Sequence, residues 1–189
     1  QGDILTIYAV IGLLLIPLTK LGEKALIVIA SILMLLPFEW WQLAYALQHP
    51  IEEVNNPVSW TYFGKMMEYI PNTSFWDTAV GNLTNGKIAV LLWNWENGRF
   101  FTILGLFLFG YILGKRNLFK WTTTSRKFWK KALLISSAAF VPLFVLQRNL
   151  EEIISSAIIR RSVSTIETAL TNFAFMILLV AGLTLLFQQ

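Results

Sequence analysis

The sequence predicts an all-α fold, a polytopic transmembrane helix bundle of about five spans with amphipathic interfacial helices in one connector. Hydrophobic residues make up 56% of the 189 residues and charged residues only 14%, and the mean hydropathy is +0.59. Soluble domains do not have this composition. Most of the eight tryptophans stand where a span should meet water, as aromatic rings do at the headgroup level.

The apolar segments follow one another along the chain, and the third is the clearest. Between Phe100 and Leu113 the only polar side chains are Thr102 and Tyr111. The first segment is short for a span unless it continues upstream. Prolines inside spans predict kinks rather than breaks, because neighbouring helices can satisfy the freed backbone carbonyl. We predict spans at residues 4–18, 25–47, 94–114, 131–147 and 166–187.

The placement of lysine and arginine predicts the orientation. The connector at residues 115–131 carries seven of them and no acid, and the turn at Lys20 and Lys24 lies on the same side. Connectors of this basic density are cytoplasmic, which places the connector at residues 48–93 on the outward side. The outward connector is amphipathic and aromatic, so it predicts short helices at the membrane surface. Because topology explains the basic residues, we expect no nucleic-acid partner.

Polar side chains in or beside the spans collect on the predicted outward side. A charge at mid-bilayer costs at least about 2.5–3.5 kcal/mol, so intramembrane acids usually pair with a cation or line a wet cavity. The alternative is that these residues snorkel to the interface or cap helix ends, as Asp3 could at the start of the first span. The set comprises Asp3, Glu39, Gln42, Glu96, Arg99, Gln147, Arg148, Glu167 and Asn172.

The candidate catalytic residues are Glu39 and His49. Glu39 lies roughly 20 Å from the cytoplasmic start of its span, which fits either a functional acid, a buried ion pair or an interfacial group. His49 is the single histidine, and it could be a general base or an interfacial side chain. Arg99 is the expected ion-pair partner of Asp3 or Glu39. Asp3, Glu96 and Arg99 are candidate substrate-binding residues.

Two glycine patterns predict helix contacts. Gly110 and Gly114 form a small-xxx-small pair, and Gly98 and Gly105 lie with Thr102 on another face of the same span. The sequence shows no phosphate-binding glycine loop, metal-ligand cluster or nucleophile elbow, so we predict no metal site. The absence of cysteine excludes disulfides and thiol catalysis.

Three stretches together carry a family resemblance. They are Gly2-Asp3-Ile4-Leu5-x-x-Tyr8-Ala9-x-x-Gly12-Leu13, then Asn97-Gly98-Arg99, then Leu104-Gly105-Leu106-Phe107-Leu108-x-Gly110-x-x-Leu113-Gly114-Lys115. They resemble the YeiB-like bacterial integral membrane proteins, a group catalogued as a domain of unknown function. The residues that carry over are Asp3, Tyr8, Gly98, Arg99, Gly105, Gly110 and Gly114, which adds Tyr8 to the candidate substrate-binding residues.

The resemblance carries several implications. Multi-pass insertion in a bacterial inner membrane is implied, as is a partial chain that lacks the family's leading helix and its C-terminal membrane domain. Asp3 directly precedes an apolar run and Gln189 directly follows one, so we expect the chain to be a piece of a longer protein. Besides the lipid bilayer, the missing N- and C-terminal parts would be its partners, and a homo-oligomer stays open.

These proteins look similar to multi-span acyltransferases that pass an acyl group from a cytoplasmic thioester donor to an acceptor on the far side. The resemblance therefore implies a transmembrane acyltransferase that modifies a cell-envelope acceptor, with acyl-CoA or a similar donor and no tightly bound cofactor. Two alternatives stay open because fold does not fix function: a transporter or permease component, and a non-catalytic membrane scaffold. A tunnel open at both ends of the bundle would favour the acyltransferase. An alternating-access cavity near mid-membrane would favour the transporter, and a solid core would favour the scaffold.

Overall fold

A computed structural model describes residues 4–71 and 74–187, and every regular element within these ranges is helical. A π-helical turn at Asn82–Gly86 joins the fifth and sixth helices. The predicted all-α fold class is confirmed. The helices are α1 (Ile4–Leu18), α2 (Glu23–Met34), α3 (Pro37–Gln48), α4 (Val58–Tyr69), α5 (Phe75–Gly81), α6 (Lys87–Glu96), α7 (Arg99–Lys115), α8 (Thr123–Ile153) and α9 (Ala157–Phe187).

Helix length and composition give an approximate number of membrane spans. Among the described residues, three helical segments can cross a membrane: Glu23–Gln48, Thr123–Ile153 and Ala157–Phe187. A fourth span results when Phe75–Glu96 and Arg99–Lys115 are counted as one segment bent by 75°. α1 has 15 residues, which gives about 22 Å, short of the roughly 30 Å hydrocarbon core. By length and composition the described residues therefore contain three or four membrane-length segments, with α1 as a further short apolar helix.

The predicted second span corresponds to the membrane-length segment Glu23–Gln48, whose two helices meet at a short irregular turn before Pro37. α2 ends at Met34, Leu36 takes a left-handed conformation with φ of 51° and ψ of 62°, and Pro37 occupies the first turn of α3. Proline suits a helix start because its missing N–H would have no intrahelical partner there. Pro142, in contrast, lies inside the uninterrupted α8.

The predicted third span also begins elsewhere. Asn94 belongs to α6, which ends at Glu96, and α7 begins only at Arg99. Gly98 between them has a φ of 63°, a backbone conformation that glycine adopts without steric cost and that ends a helix. The sequence from Asn94 to Gly114 is therefore two helices at a sharp angle and not one straight span.

Three groups of helices form the bundle. α2 packs along α7 through a cluster of Leu26, Ala30, Leu108 and Ile112, and α1 joins the same side of α7. α8 packs along α9, which also contacts α3. The short helices α4 to α6 of the predicted outward connector pack around their own core of Met66, Tyr69 and Ala89.

The turns between these antiparallel helices give the bundle two different ends. Arg116 forms an ion pair with Glu23, which holds the connectors at residues 19–22 and 116–122 together; we call this the basic end. The polar end is formed by the C-termini of α3 and α8 and the N-termini of α7 and α9. Between the ends, apolar side chains such as Leu134, Ile135 and Val141 of α8 are exposed, as a lipid-facing surface requires.

Candidate functional site

The two helix breaks pack against each other near the polar end. A Cβ atom at Gly98 would lie 3.0 Å from Leu36 Cδ2, and Leu36 is almost fully buried. Leu36 is a non-glycine residue in the left-handed region, which costs on the order of 1–2 kcal/mol and persists only where the surrounding packing imposes it. Irregular backbone at membrane depth is tolerated where it is buried in protein or lines a cavity. We call Leu36 and Gly98, with the helix ends beside them, the paired breaks, and the candidate site is described around them.

Glu39 is placed beside this pair of breaks. It lies in the first turn of α3, and its N–H donates to the carbonyl of Leu36 over 2.9 Å. Its side chain is only 4% exposed, and Arg161 of α9 is the cation whose charge acts on it. A carboxylate in the first turn is also favoured by the dipole of its own helix.

Arg99 is not the partner that the sequence suggested for Glu39. Within the described residues the one ion pair closer than 4 Å is Arg116 with Glu23. The Arg99 guanidinium lies over the ring of Trp93, with 4.9 Å from Cζ to the ring centroid. Within the described residues no ion pair closer than 4 Å joins Glu39 to Arg99 or to Arg161, and Arg161 is the cation whose charge acts on Glu39 from farther away. The alternative partner, Asp3, lies outside the described residues.

Arg99 lines a cleft of about 350 Å³ between α2, α7 and α9, which we call the central cleft. Polar groups come from the start of α7 and from the first half of α9: Asn97, Arg99, Thr102, Thr165 and Asn172. Apolar side chains, among them Met34, Phe173 and Met176, close its other walls. The central cleft has the composition of a small ligand site, a mostly apolar pocket with a few convergent polar groups.

Glu96 has a structural position at the start of α4. Its Oε1 accepts a hydrogen bond of 3.2 Å from the backbone N–H of Ser59, in the first turn of that helix. The proline that precedes α4 cannot cap it with a side chain. Among the described atoms, Glu96 Oε2 and Ser59 Oγ are buried without a hydrogen-bond partner. Glu96 thus caps a helix from a distant part of the sequence.

Replacing Glu96 by alanine is therefore expected to destabilise the group of α4, α5 and α6 by about 1 kcal/mol. Glu96→Gln should retain most of the stability because it keeps an acceptor oxygen. The measurement is thermal unfolding in detergent, with the exposed Glu68→Ala on the same α4 as the control. Equal melting temperatures for the alanine variants at positions 96 and 68 would contradict the capping role.

His49 and Tyr8 lie away from the central cleft. The exposed His49 ends α3, its ring stacks on Tyr45 with 4.4 Å between centroids, and its Nδ1 lies 3.1 Å from the carbonyl oxygen of Tyr45. Tyr8 of α1 packs on Phe107 with 5.7 Å between centroids and is partly exposed. The structure therefore brings Glu39 and Arg99 to the paired breaks and leaves His49 and Tyr8 outside them.

The four predicted packing glycines have different surroundings. A Cβ at Gly105 would lie 3.1 Å from Met34 and 3.2 Å from the carbonyl oxygen of Ala30, so α7 approaches α2 closely there. Gly98 contacts Leu36, as described above. A Cβ at Gly110 or Gly114 would meet nothing within 4 Å in the described chain. Helix packing through these last two glycines stays a prediction.

Two further features escaped the sequence analysis. The first is a cleft of about 520 Å³ between the end of α8 and the start of α9 that contains Arg148, Arg160 and Arg161; we call it the arginine cleft. The adjacent Arg160 and Arg161, just before an apolar span, were the signal for it in the sequence. The second is the burial of Glu167 on α9, whose carboxylate accepts a hydrogen bond from Thr171.

The apolar walls of the bundle form another cleft, of about 450 Å³, between α7, α8 and α9. It runs from Phe128 and Trp129 near the basic end to Leu170 and Phe173 deeper in the bundle. We call it the apolar cleft. Phe173 and Met176 line both it and the central cleft, and Phe173 stacks on Phe109 with 5.8 Å between centroids. These side chains separate the two cavities.

Comparison with known proteins identifies one family. A family model described as "Protein of unknown function (DUF418)" matches residues 113–189. This segment is similar to the DUF418 family. The DUF418 match confirms the YeiB-like assignment and, with the apolar helices, identifies an integral, multi-pass membrane protein of unknown function. No curated protein and no solved structure matches the chain.

The DUF418 segment differs from the stretches on which the resemblance was based. It contains α8, α9 and all of the basic connector at residues 115–131, and therefore the arginine cleft and much of the apolar cleft. Of the three stretches that carry the resemblance, only the end of the last, Leu113-Gly114-Lys115, is inside it, whereas Tyr8, Arg99 and Gly105 are upstream. The family match therefore supports the assignment in the second part of the chain.

Proposed function

We propose that this protein is a transmembrane acyltransferase that modifies an acceptor of the cell envelope in a bacterial inner membrane. The observation that carries the proposal is the pair of cavities that share Phe173 and Met176. The apolar cleft starts near the basic end and would receive an acyl chain. The central cleft lies at the paired helix breaks and would receive the polar acceptor.

The charges suit a thioester donor such as acyl-CoA. The basic connector at residues 115–131 carries seven lysines and arginines, which would attract the phosphates of the donor. Apolar surface lines the route onward from there, so the chain could move inward without exposing its methylenes to water. Arg99 at the central cleft would hold an anionic group of the donor or acceptor.

The proposed step forms an ester and releases a thiol. An acceptor hydroxyl oxygen attacks the thioester carbonyl carbon, the carbon–oxygen bond forms and the carbon–sulfur bond breaks. The hydroxyl proton passes to a base and then to the departing thiolate. Glu39 is better placed for this role than His49 because it lies within one turn of Leu36 at the paired breaks. His49 is at the far end of the same α3.

The test compares the acylation of envelope glycans and lipids in a strain that lacks this protein, complemented with different variants. Wild type should restore the missing acyl group, and Arg99→Ala should reduce it by about 100-fold if Arg99 anchors a charge in the transition state. Lys65→Ala, an exposed cation on α4, is the matched control and should restore it fully. Identical acyl profiles with and without the protein would overturn the proposal, provided that immunoblots show equal amounts of each variant.

A transporter is the second candidate, and the broken spans favour it. Two apolar helical segments that are interrupted and touch at their breaks, as at Leu36 and Gly98, are also typical of substrate sites in secondary transporters. Because the chain has no cysteine, Thr165→Cys and Asn172→Cys provide single labels in the central cleft. Labelling by an impermeant maleimide from one side only favours the acyltransferase. Labelling from both sides, with substrate-dependent rates, favours the transporter.

A further inference from the structure

The arginine cleft lies between the last turns of α8 and the first turns of α9. Three cations line it, Arg148, Arg160 and Arg161, against a single acid, Glu151, with Gln147 and Ser164 as neutral polar groups. Its volume of about 520 Å³ is that of a small-molecule site. The cleft shares no lining residue with the central cleft, and Arg161 is its residue whose charge also acts on Glu39.

Most of the hydrogen-bond donors of these arginines are unused. Arg160 Nη1 donates to the carbonyl of Ile154 over 3.3 Å, and Arg161 Nη1 donates to the carbonyl of Asn55 over 3.0 Å. The Arg148 guanidinium lies over the Phe144 ring, 5.2 Å from its centroid. Each guanidinium has five N–H donors, and within the described residues none of the three has a carboxylate closer than 4 Å.

We propose that the arginine cleft binds the phosphate of an anionic phospholipid headgroup. Guanidinium groups bind phosphate through paired hydrogen bonds. Even with the charge of Arg161 set against Glu39, Arg148 and Arg160 outnumber the one acid of the cleft, Glu151, and leave a net positive charge that favours an anion. A choline headgroup would bring a fourth cation next to the arginines. A glycerol headgroup would instead offer hydroxyls that can donate to Glu151 and accept from Ser164.

The surface beside the cleft accounts for the lipid tails. Phe144 lines the cleft, and Val141 and Val145 of the same α8 are exposed on the adjoining turns. Acyl chains that extend from a headgroup held at Arg148 would cover this apolar face. A soluble phosphate would fill the charged part of the cleft and leave the face bare. The combination of a cationic cleft with an adjoining apolar strip therefore favours a lipid.

Native mass spectrometry tests the proposal with the full chain. The protein is released from nanodiscs of equal amounts of phosphatidylglycerol and phosphatidylcholine, and the retained lipids are counted. We expect retained phosphatidylglycerol in wild type and at least about tenfold less in Arg148→Gln/Arg160→Gln, since each lost charge-assisted bond weakens binding. Lys65→Gln/Lys87→Gln makes the same charge change on α4 and α6, away from every cleft described above, and should leave retention unchanged.

Three results would overturn the proposal. One is equal retention of phosphatidylglycerol by the two double variants. Another is displacement of the lipid by millimolar inorganic phosphate, which would make the cleft a site for a soluble anion. The third result comes from Arg148→Lys/Arg160→Lys, which also replaces the glutamine variant if that variant does not fold. The lysine variant keeps the positive charges but loses the planar guanidinium groups, so its lipid retention should fall several-fold. Retention equal to that of wild type would refute binding of the phosphate by the guanidinium groups.

Discussion

Replacing Gly105 by valine is expected to lower the stability of the bundle by about 1–3 kcal/mol, as an overpacked helix contact does. The new Cβ would lie 3.1 Å from Met34 and 3.2 Å from the carbonyl oxygen of Ala30. The flexible methionine can move, but the backbone carbonyl can move only with the whole of α2. The two valine methyls add further volume at the same contact, so α2 and α7 must separate.

Gly110→Val is the matched control for this experiment. It lies in the same α7, it changes helix propensity by the same amount, and its Cβ would meet nothing within 4 Å in the described chain. Thermal unfolding in detergent should therefore show a lower melting temperature for the variant at position 105 than for the variant at position 110. Equal melting temperatures would mean that α7 does not pack on α2 through Gly105.

The second large effect concerns the buried acid at the paired breaks. Arg161→Gln is expected to cost about 1–2 kcal/mol, because it leaves the Glu39 carboxylate buried without its cation. The expected loss of stability is small for a buried charge, because Arg161 is itself exposed and water screens part of its interaction with Glu39. In a protein that already carries Glu39→Gln, Arg161→Gln should lower the stability much less, since the buried charge is gone.

A double-mutant cycle measures this coupling directly. The cycle of Glu39→Gln with Arg161→Gln should give a coupling of about 1 kcal/mol, whereas the cycle with Arg99→Gln should give none. Both arginines are exposed and both lie at the polar end, so the comparison isolates the specific partner. A larger coupling with Arg99 would restore the pairing suggested by the sequence and refute the electrostatic contact with Arg161.

The sequence alone determined the membrane class, the helical fold and the gathering of polar residues toward one end. These follow from composition, because an apolar chain in a bilayer must satisfy its backbone hydrogen bonds within helices. The concentration of lysine and arginine at residues 115–131 was equally readable. The start of α7 could also have been read, since a glycine after asparagine is a common helix end.

Tertiary structure decided which polar residues meet and where the spans break. Leu36 is left-handed because it packs against Gly98, a contact between distant segments that no local pattern encodes. Several cations lie at the polar end, and only the packing of α3 on α9 selects Arg161 for Glu39. In the same way Gly105 and Gly110 look alike in sequence, and only the approach of α2 separates a crowded glycine from an open one. Local composition determines whether a segment is helical and suited to a bilayer. Which helices it contacts depends on packing between segments that are distant in the sequence.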